Sequence, residues 1–402
     1  MQLFGTFQLN KFKEIHSWFP YLAGFSDDLV ESIINEYHIT KNHKIFDPFA
    51  GSGTTLLSAK QRNIFSEGTE INPFVSFVAN TKLYSEYNFS EVLNEKQKIK
   101  EFTNYYIDYE ITENIFELIE NAFSPKILKK LLFLKNSILT IKNPEIKNIF
   151  LLALIVILKK VSNYKNFAPY FELKETPLDD ADIFDIYFIQ LTKMLNDIEN
   201  YNNTTYAHVY EQSAKKLENI ENKFDLILTS PPYLNNWDYS WITKIELFFL
   251  DFVKDNQDLK EKLSKKLVKS STYLVNNSNN GDLILPKSET RKKVVKLIEN
   301  LSIQVKQRNG NAKKYDITVK EYFNDIFEIL QQLNSISQPN AKNLWVVGDS
   351  SLYGVHVATD ELIGEISELA GFKFKGCKIL RSRKATRHNE KLRESIVIME
   401  KF

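Results

Sequence analysis

The chain has 402 residues, 43% of them hydrophobic and 26% charged, enough for one large α/β domain with insertions or two modest domains that fold without metals or disulfides. A single cysteine, Cys377, excludes an internal disulfide, and the opening MQLFGTFQLNKFKE lacks the apolar stretch and cleavage site of a secretory signal, so a cytoplasmic protein is expected. The net charge of +1 hides an uneven distribution: residues 260–320 carry 15 Lys or Arg against 5 Asp or Glu, residues 373–393 carry 9 against 1, and the remainder stands at −17. Two basic surfaces on an acidic body suit a polyanion-binding enzyme, although solvated lysine-rich faces give the same counts.

Strand signals begin at 44–47 (KIFD) and 65–70 (FSEGTE), short apolar-rich runs that end in an acid and flank a helix-like stretch, the start of a βαβ unit. Residues 84–203 follow as a helical insertion, with helical spacing in KILKKLLFLKNSILTI and IKNIFLLALIVILKK. Its apolar run 149–158 falls far short of the roughly 20 residues a bilayer requires and predicts a buried helix. The runs 206–211 (YAHVYE), 224–229 (FDLILT) and 343–348 (NLWVVG) are near-continuous apolar segments, as in strands buried on both faces of a parallel sheet. Residues 251–316 form a second block, whose Asn-rich tract 276–282 (NNSNNGD) has too little apolar content to pack and is expected to be mobile. Runs 373–380 and 394–400 flank a polar turn and predict a terminal antiparallel hairpin. Seven strands in an α/β, Rossmann-like sheet result.

Two motifs carry chemistry. DPFAGSGTT (47–55) lies between the first strand and a helical run, where a doubly wound sheet places its nucleotide-binding turn. Gly51 and Gly53 permit a tight turn and close backbone approach, and the next helix begins with free N–H groups facing the ligand. Any nucleotide suits that geometry, but neither the phosphate-loop Lys nor the dinucleotide fingerprint is matched. Glu70, ending the second strand, is positioned to accept from both ribose hydroxyls of an adenosine cofactor, with Asn72 and Phe74 beyond to flank the adenine. The second motif is Thr229-Ser230-Pro231-Pro232-Tyr233, directly after FDLIL. Two prolines there cannot donate to the ladder, so the chain leaves the sheet with free carbonyls. An exocyclic amine is a poor nucleophile because its lone pair is delocalised into the ring. Hydrogen bonds from its two N–H groups to the Ser230 side chain and the Pro231 carbonyl favour a tetrahedral nitrogen, while Tyr233 stacks on a base taken out of the duplex. Behind the turn, LNNWDYSW offers Asn235, Trp237 and Tyr239 as a base pocket, whereas Trp241 leads into the amphipathic run ITKIELFFLDF and is expected in the core. The six histidines lack metal-ligand spacing, so no metal is expected.

In these two motifs the chain resembles the amino-group DNA methyltransferases, whose cofactor motif is of the DPFxGSGTT type and whose catalytic motif is [DNS]PP[YFW]. The resemblance implies a seven-stranded methyltransferase sheet with a terminal antiparallel hairpin, S-adenosylmethionine as cofactor, and flipped bases in double-stranded DNA as substrate, with a cognate restriction endonuclease as a possible partner. It places Asp47, Phe49, Ala50, Gly51, Gly53, Thr54, Glu70 and Asn72 at the cofactor and Ser230, Pro231, Pro232 and Tyr233 at the chemistry. HSWFPYLAGF (16–25), ahead of a Ser26-capped helix, resembles the family's N-terminal motif, which puts Pro20 near the methionine end of the cofactor. The resemblance resumes in VVGDS (346–350) and through LRESIVIME, about half the chain. Many members have an acid after the third strand, where this chain reads Glu211-Gln212-Ser213-Ala214.

The chain accordingly divides into a cofactor half (1–83), the helical insertion (84–203), the catalytic strand-turn-helix (204–250), a basic insertion (251–320) that offers Arg291, Lys292 and Lys293 to DNA phosphates, and the C-terminal strands (321–402). By the same resemblance, Ser at position 230 implies cytosine N4 as target, because family members with Ser there mostly methylate cytosine N4 and those with Asp or Asn mostly adenine N6. The alternatives are adenine N6, an RNA base, or a non-catalytic nucleic-acid-binding subunit, whose signature would be damaged motifs.

Overall fold

A computed structural model describes residues 6–21, 24–111, 115–166, 171–175, 181–199, 201–235, 239–275, 281–306, 309–310, 314–384 and 391–402, with only the backbone for residues 108, 166, 239, 383 and 384. Trp237 and most of the Asn-rich tract lie outside the described residues. All seven expected strands form one sheet: β1 (Lys44–Asp47), β2 (Phe65–Thr69), β3 (Ala207–Tyr210), β4 (Phe224–Thr229), β5 (Ser337–Gly348), β6 (Phe372–Lys384) and β7 (Lys391–Lys401). Their spatial order is β6-β7-β5-β4-β1-β2-β3, parallel from β3 to β5, with β7 antiparallel between β5 and β6. The fold is the Rossmann-like methyltransferase sheet. Chain order reverses between β1 and β4, so the carboxyl ends of these two strands open onto the switch-point crevice where doubly wound sheets bind ligands.

Period-two alternation sends neighbouring residues to opposite faces. Ile45, Leu226, Leu228, Leu344 and Val346 pack beneath α1 (Asp27–Glu36), while Phe46, Ile227, Trp345 and Val347 pack on the other face. Both faces are covered, which explains the unbroken apolar runs. Ser26 caps α1 by accepting from the Leu29 amide at 3.3 Å. β5 begins earlier than NLWVVG, at Ser337. Its polar first residues join through an irregular register with β4, where Phe224 pairs Ser337 and Leu226 pairs Lys342, so hydrophobic pattern alone misses them.

The helices after β1 and β2 are α2 (Thr54–Gln61) and α3 (Pro73–Leu83). The block between β2 and β3 continues through α4 (Phe89–Phe102), α5 (Glu117–Ala122), α6 (Pro125–Leu139), α7 (Pro144–Val161) and α8 (Ile183–Glu199), with a small antiparallel ribbon at Tyr164–Asn166 and Glu172–Leu173. The run 149–158 lies inside α7, buried except for the partly covered Val156. One apolar cluster joins these helices to α2 and α3, so the insertion extends the main core.

After β4 come α9 (Tyr239–Ile242), α10 (Lys244–Phe249), α11 (Asn256–Lys262), α12 (Glu289–Val305) and α13 (Tyr315–Ile336), with α14 (Thr359–Leu369) between β5 and β6. Trp241 corrects an expectation: it is 42% exposed, because the chain breaks at Thr243 and only α10 turns its residues into the core. Its ring instead carries the Lys244 ammonium, 4.0 Å from the centroid. Among the described residues no helix is long and apolar enough to cross a membrane.

Candidate active site

The first chemical turn is closed by its own acid. Asp47, 2% exposed, accepts from the Thr55 hydroxyl at 2.6 Å, the Phe49 amide at 3.0 Å and the Thr229 hydroxyl at 2.6 Å. Thr229 is the first residue of TSPPY, so a single carboxylate fastens the cofactor turn to the catalytic turn. Burial lifts its pKa to about 6 against these three hydrogen bonds. The carboxylate therefore acts on the architecture of the turn.

Gly51 (φ 52°) and Gly53 (φ 85°) both hold left-handed backbone. A Cβ on Gly51 would come within 2.9 Å of the Tyr21 ring, and one on Gly53 within 3.2 Å of Ala79, so both turn and space demand glycine. Gly53 caps α2 and faces Ala79, while Phe49, Ala50, Gly51 and Thr54 line the cleft. Glu70 stands in the cleft wall, accepting from the Gly51 amide at 3.1 Å and the Asn72 amide at 2.8 Å. Burial pushes its carboxyl up to about 7.

The cleft is open to solvent on one side, with about 820 Å³ of space between its walls, solvent included. Its opposite wall carries Ser230 and Pro232, and its rim is completed by Gln212, Ser213 and Ala214 after β3 and by Lys266, Leu267 and Val268. Two buried polar groups in this lining, the Ser52 hydroxyl and the Gln212 amide nitrogen, have no hydrogen-bond partner among the described residues. Orphaned donors beside an acid and a glycine cradle fit a polar adenosine cofactor. Gln212 thus occupies the cleft after β3, while Glu211 is exposed, near Lys266 and Lys262.

Asn72, expected beside an adenine, is turned away. Its side-chain oxygen caps α3 through the Phe74 and Val75 amides, and its nitrogen donates to Thr243 at 2.8 Å. Phe74 is fully buried edge-on to Phe19, and Ile71 lines the cleft instead. Pro20 is exposed and outside the lining, with its neighbour Tyr21 the residue that reaches in. The segment bearing Tyr21 is fixed from below: buried Lys82 donates to the carbonyls of His16 (3.2 Å) and Phe19 (3.4 Å), and the Trp18 indole donates to Asp197 at 2.6 Å. Burial lowers the Lys82 pKa to about 7.

The catalytic turn is held from a distance. The Ser350 hydroxyl donates to the Leu234 carbonyl at 2.6 Å, Tyr315 donates to the Asn235 side chain at 2.9 Å, and Tyr233 donates to Glu394 at 2.9 Å. Arg291, Lys292 and Lys293 are not brought to this edge. They sit at the start of α12, about 16 Å along the helix from Ser302, which bonds Asp316 beside Tyr315. Arg291 braces the Leu283 and Leu285 carbonyls, Lys292 pairs with Glu289 and Lys293 with Glu365. In the second basic window, Arg381 pairs with Glu394, and Arg393 with Asp349, Asp360 and Glu361. Among the described residues no group of three His, Cys, Asp or Glu is placed to hold a metal ion.

The DPFAGSGTT and TSPPY turns thus meet on one cleft at the switch point of a methyltransferase sheet. Residues 6–121 match the family described as DNA methylase. Three similar proteins are Type II methyltransferases: M.BsoBI of Geobacillus stearothermophilus (27% identical, covering 98% of this chain and 87% of that one), M.AvaI of Nostoc sp. (25%, 93% and 82%) and M.MvaI of Kocuria varians (24%, 91% and 83%). These likenesses support placing the chain among the amino-group DNA methyltransferases, enzymes that modify cytosine N4 or adenine N6.

Proposed function

We propose that this enzyme transfers a methyl group from S-adenosylmethionine to N4 of a cytosine flipped out of double-stranded DNA. The observation that carries the reading is the Asp47 carboxylate shared by Thr55 and Thr229, which sets the cofactor turn and the TSPPY turn on one cleft. Glu70 would hold the ribose hydroxyls, Ile71 and Gln212 the adenine, and Tyr21 with the Gly51 backbone the rest of the molecule. When bound, the cofactor supplies an electrophilic sulfonium methyl. Ser230 and the Pro231 carbonyl accept the amine hydrogens, which localises the nitrogen lone pair, and Tyr233 stacks on the base. Proton loss follows transfer, so no strong general base is needed.

The preference for cytosine rests on Ser230, since members of the family it resembles with Ser at this position mostly methylate cytosine N4 and those with Asp or Asn mostly adenine N6. Residues 1–83, 204–250 and 321–402 serve catalysis, residues 251–320 contact phosphates, and residues 84–203 are the further candidate for target recognition. The Type II names of the relatives support a cognate restriction endonuclease as partner. The test is to incubate unmethylated DNA with labelled S-adenosylmethionine, digest to nucleosides and identify the labelled species by mass. Label on deoxycytidine is expected, and label on deoxyadenosine would move the target to N6.

A further inference from the structure

Ser230 can assist an amine only if its hydroxyl accepts, and a hydroxyl that also carries a proton must put that proton elsewhere. The turn itself offers no carboxylate to fix this polarity. A chain of three residues from the terminal hairpin does. Glu394 on β7 is 4% exposed; one carboxylate oxygen accepts from the Arg381 guanidinium and the other from the Tyr233 phenol at 2.9 Å. Tyr233 has one hydrogen to donate, and it goes to Glu394. Its oxygen therefore faces Ser230 as an acceptor, and the Ser230 hydroxyl donates to it at 3.4 Å. That contact is long for a hydroxyl pair, as catalytic contacts commonly are before substrate binds.

The sheet is built to make this contact. Glu394 pairs Gly348 at the end of β5, so its side chain reaches the same edge as TSPPY. On the other side the β6–β7 register shifts between Ile379 and Arg381, which sets Arg381 directly opposite Glu394. Such an irregularity re-aims a side chain. We propose that Arg381 and Glu394 are positioning residues that set the polarity of the Ser230 hydroxyl through Tyr233, so that its lone pairs are free for the amine of the target base. Without the carboxylate, the phenol is released to donate to Ser230 and occupies the lone pair that the amine needs.

The inference rests on the catalytic reading of Ser230, and the test separates the two. Single-turnover transfer from labelled S-adenosylmethionine to unmethylated DNA of mixed sequence is measured together with calorimetric S-adenosylmethionine affinity. Glu394→Gln and Tyr233→Phe are each expected to slow transfer about tenfold or more, the usual effect of losing one hydrogen bond to a charged group, with cofactor affinity unchanged. The double variant is expected to be no slower than the slower single one, because both cut the same chain. Wild-type transfer in either single variant, or losses that multiply in the double variant, would overturn the relay. Tyr233→Phe keeps the ring and decides the matter even where Glu394→Gln folds poorly. Ser230→Ala runs alongside: if it is inactive while Glu394→Gln is unimpaired, the relay alone fails, whereas an active Ser230→Ala removes the catalytic reading itself.

Discussion

The two sides of the cleft are fixed in different ways. The cofactor side is mostly local: Asp47 bonds Phe49 and Thr55, and Glu70 bonds Gly51 and Asn72, all within one βαβ unit. The catalytic side is almost wholly long-range, with Leu234 held by Ser350, Asn235 by Tyr315 and Tyr233 by Glu394. Two bonds cross between them, Thr229 to Asp47 and Asn72 to Thr243. A turn closed by its own residues can be read from a short motif; a turn held by three distant elements cannot. The difference also predicts that damage on the catalytic side strikes rate, and damage on the cofactor side strikes affinity.

The sharpest break of that comparison is Ser230→Ala. It is expected to reduce methyl transfer by about two to three orders of magnitude, the usual result of removing one preorganised polar contact from a transition state, with cofactor binding intact. Single-turnover labelling beside calorimetry reads both quantities, and loss of both together would erase the division between the two sides.

Asp47→Ala should damage both sides at once. It leaves the Thr55 and Thr229 hydroxyls and the Phe49 amide without their buried acceptor, and a stability loss of about 2–4 kcal/mol is expected in denaturant unfolding. A loss confined to cofactor affinity, with stability unchanged, would show that the carboxylate serves the ligand rather than the fold.

Glu70→Ala should weaken cofactor affinity by about tenfold to a hundredfold, as expected for hydrogen bonds to a charged group. The carboxyl, lifted by burial to about 7, is partly protonated at neutral pH, and two ribose hydroxyls donate best to its ionised form. Affinity should therefore rise with pH, level off above about 7, and be accompanied by proton release that disappears in Glu70→Gln. Calorimetry in buffers of different ionisation enthalpy measures that proton. In the free protein the sign reverses: a folded pKa above the ordinary 4.5 makes this group's contribution to stability decline as pH rises from about 4.5 to about 7.

The smallest effects are expected at α12. Lys292→Ala and Lys293→Ala, on exposed side chains, should each flatten the slope of log affinity for DNA against log salt by no more than about 0.9. Arg291→Ala should instead cost about 1–2 kcal/mol of stability, because the guanidinium braces the Leu283 and Leu285 carbonyls. A larger change in salt slope for Arg291 than for the two lysines would reverse that assignment.

By itself the sequence determined the seven strands, the terminal hairpin, the buried helix at 149–158 and the place of the DPFAGSGTT and TSPPY turns at strand ends. Each depends on information that is local: apolar alternation, a glycine pair, two prolines that cannot donate, and an acid at a strand end. Only the tertiary structure decided which side chains face the cleft. Asn72 and Phe74 look like cofactor residues in the chain, yet one caps α3 and binds Thr243 and the other enters the core, while Tyr21, Gln212 and Leu267 arrive from three separate segments. Trp241 faces outward because the helix breaks at Thr243, which an amphipathic pattern does not reveal. The counts of basic residues left out their internal partners, so Arg291, Arg381 and Arg393 look free in sequence and are engaged in the fold. The physical reason is common to all of these: the backbone period fixes which face a residue takes on its own element, but hydrogen-bond partners and ion pairs are chosen by what the sheet order brings alongside.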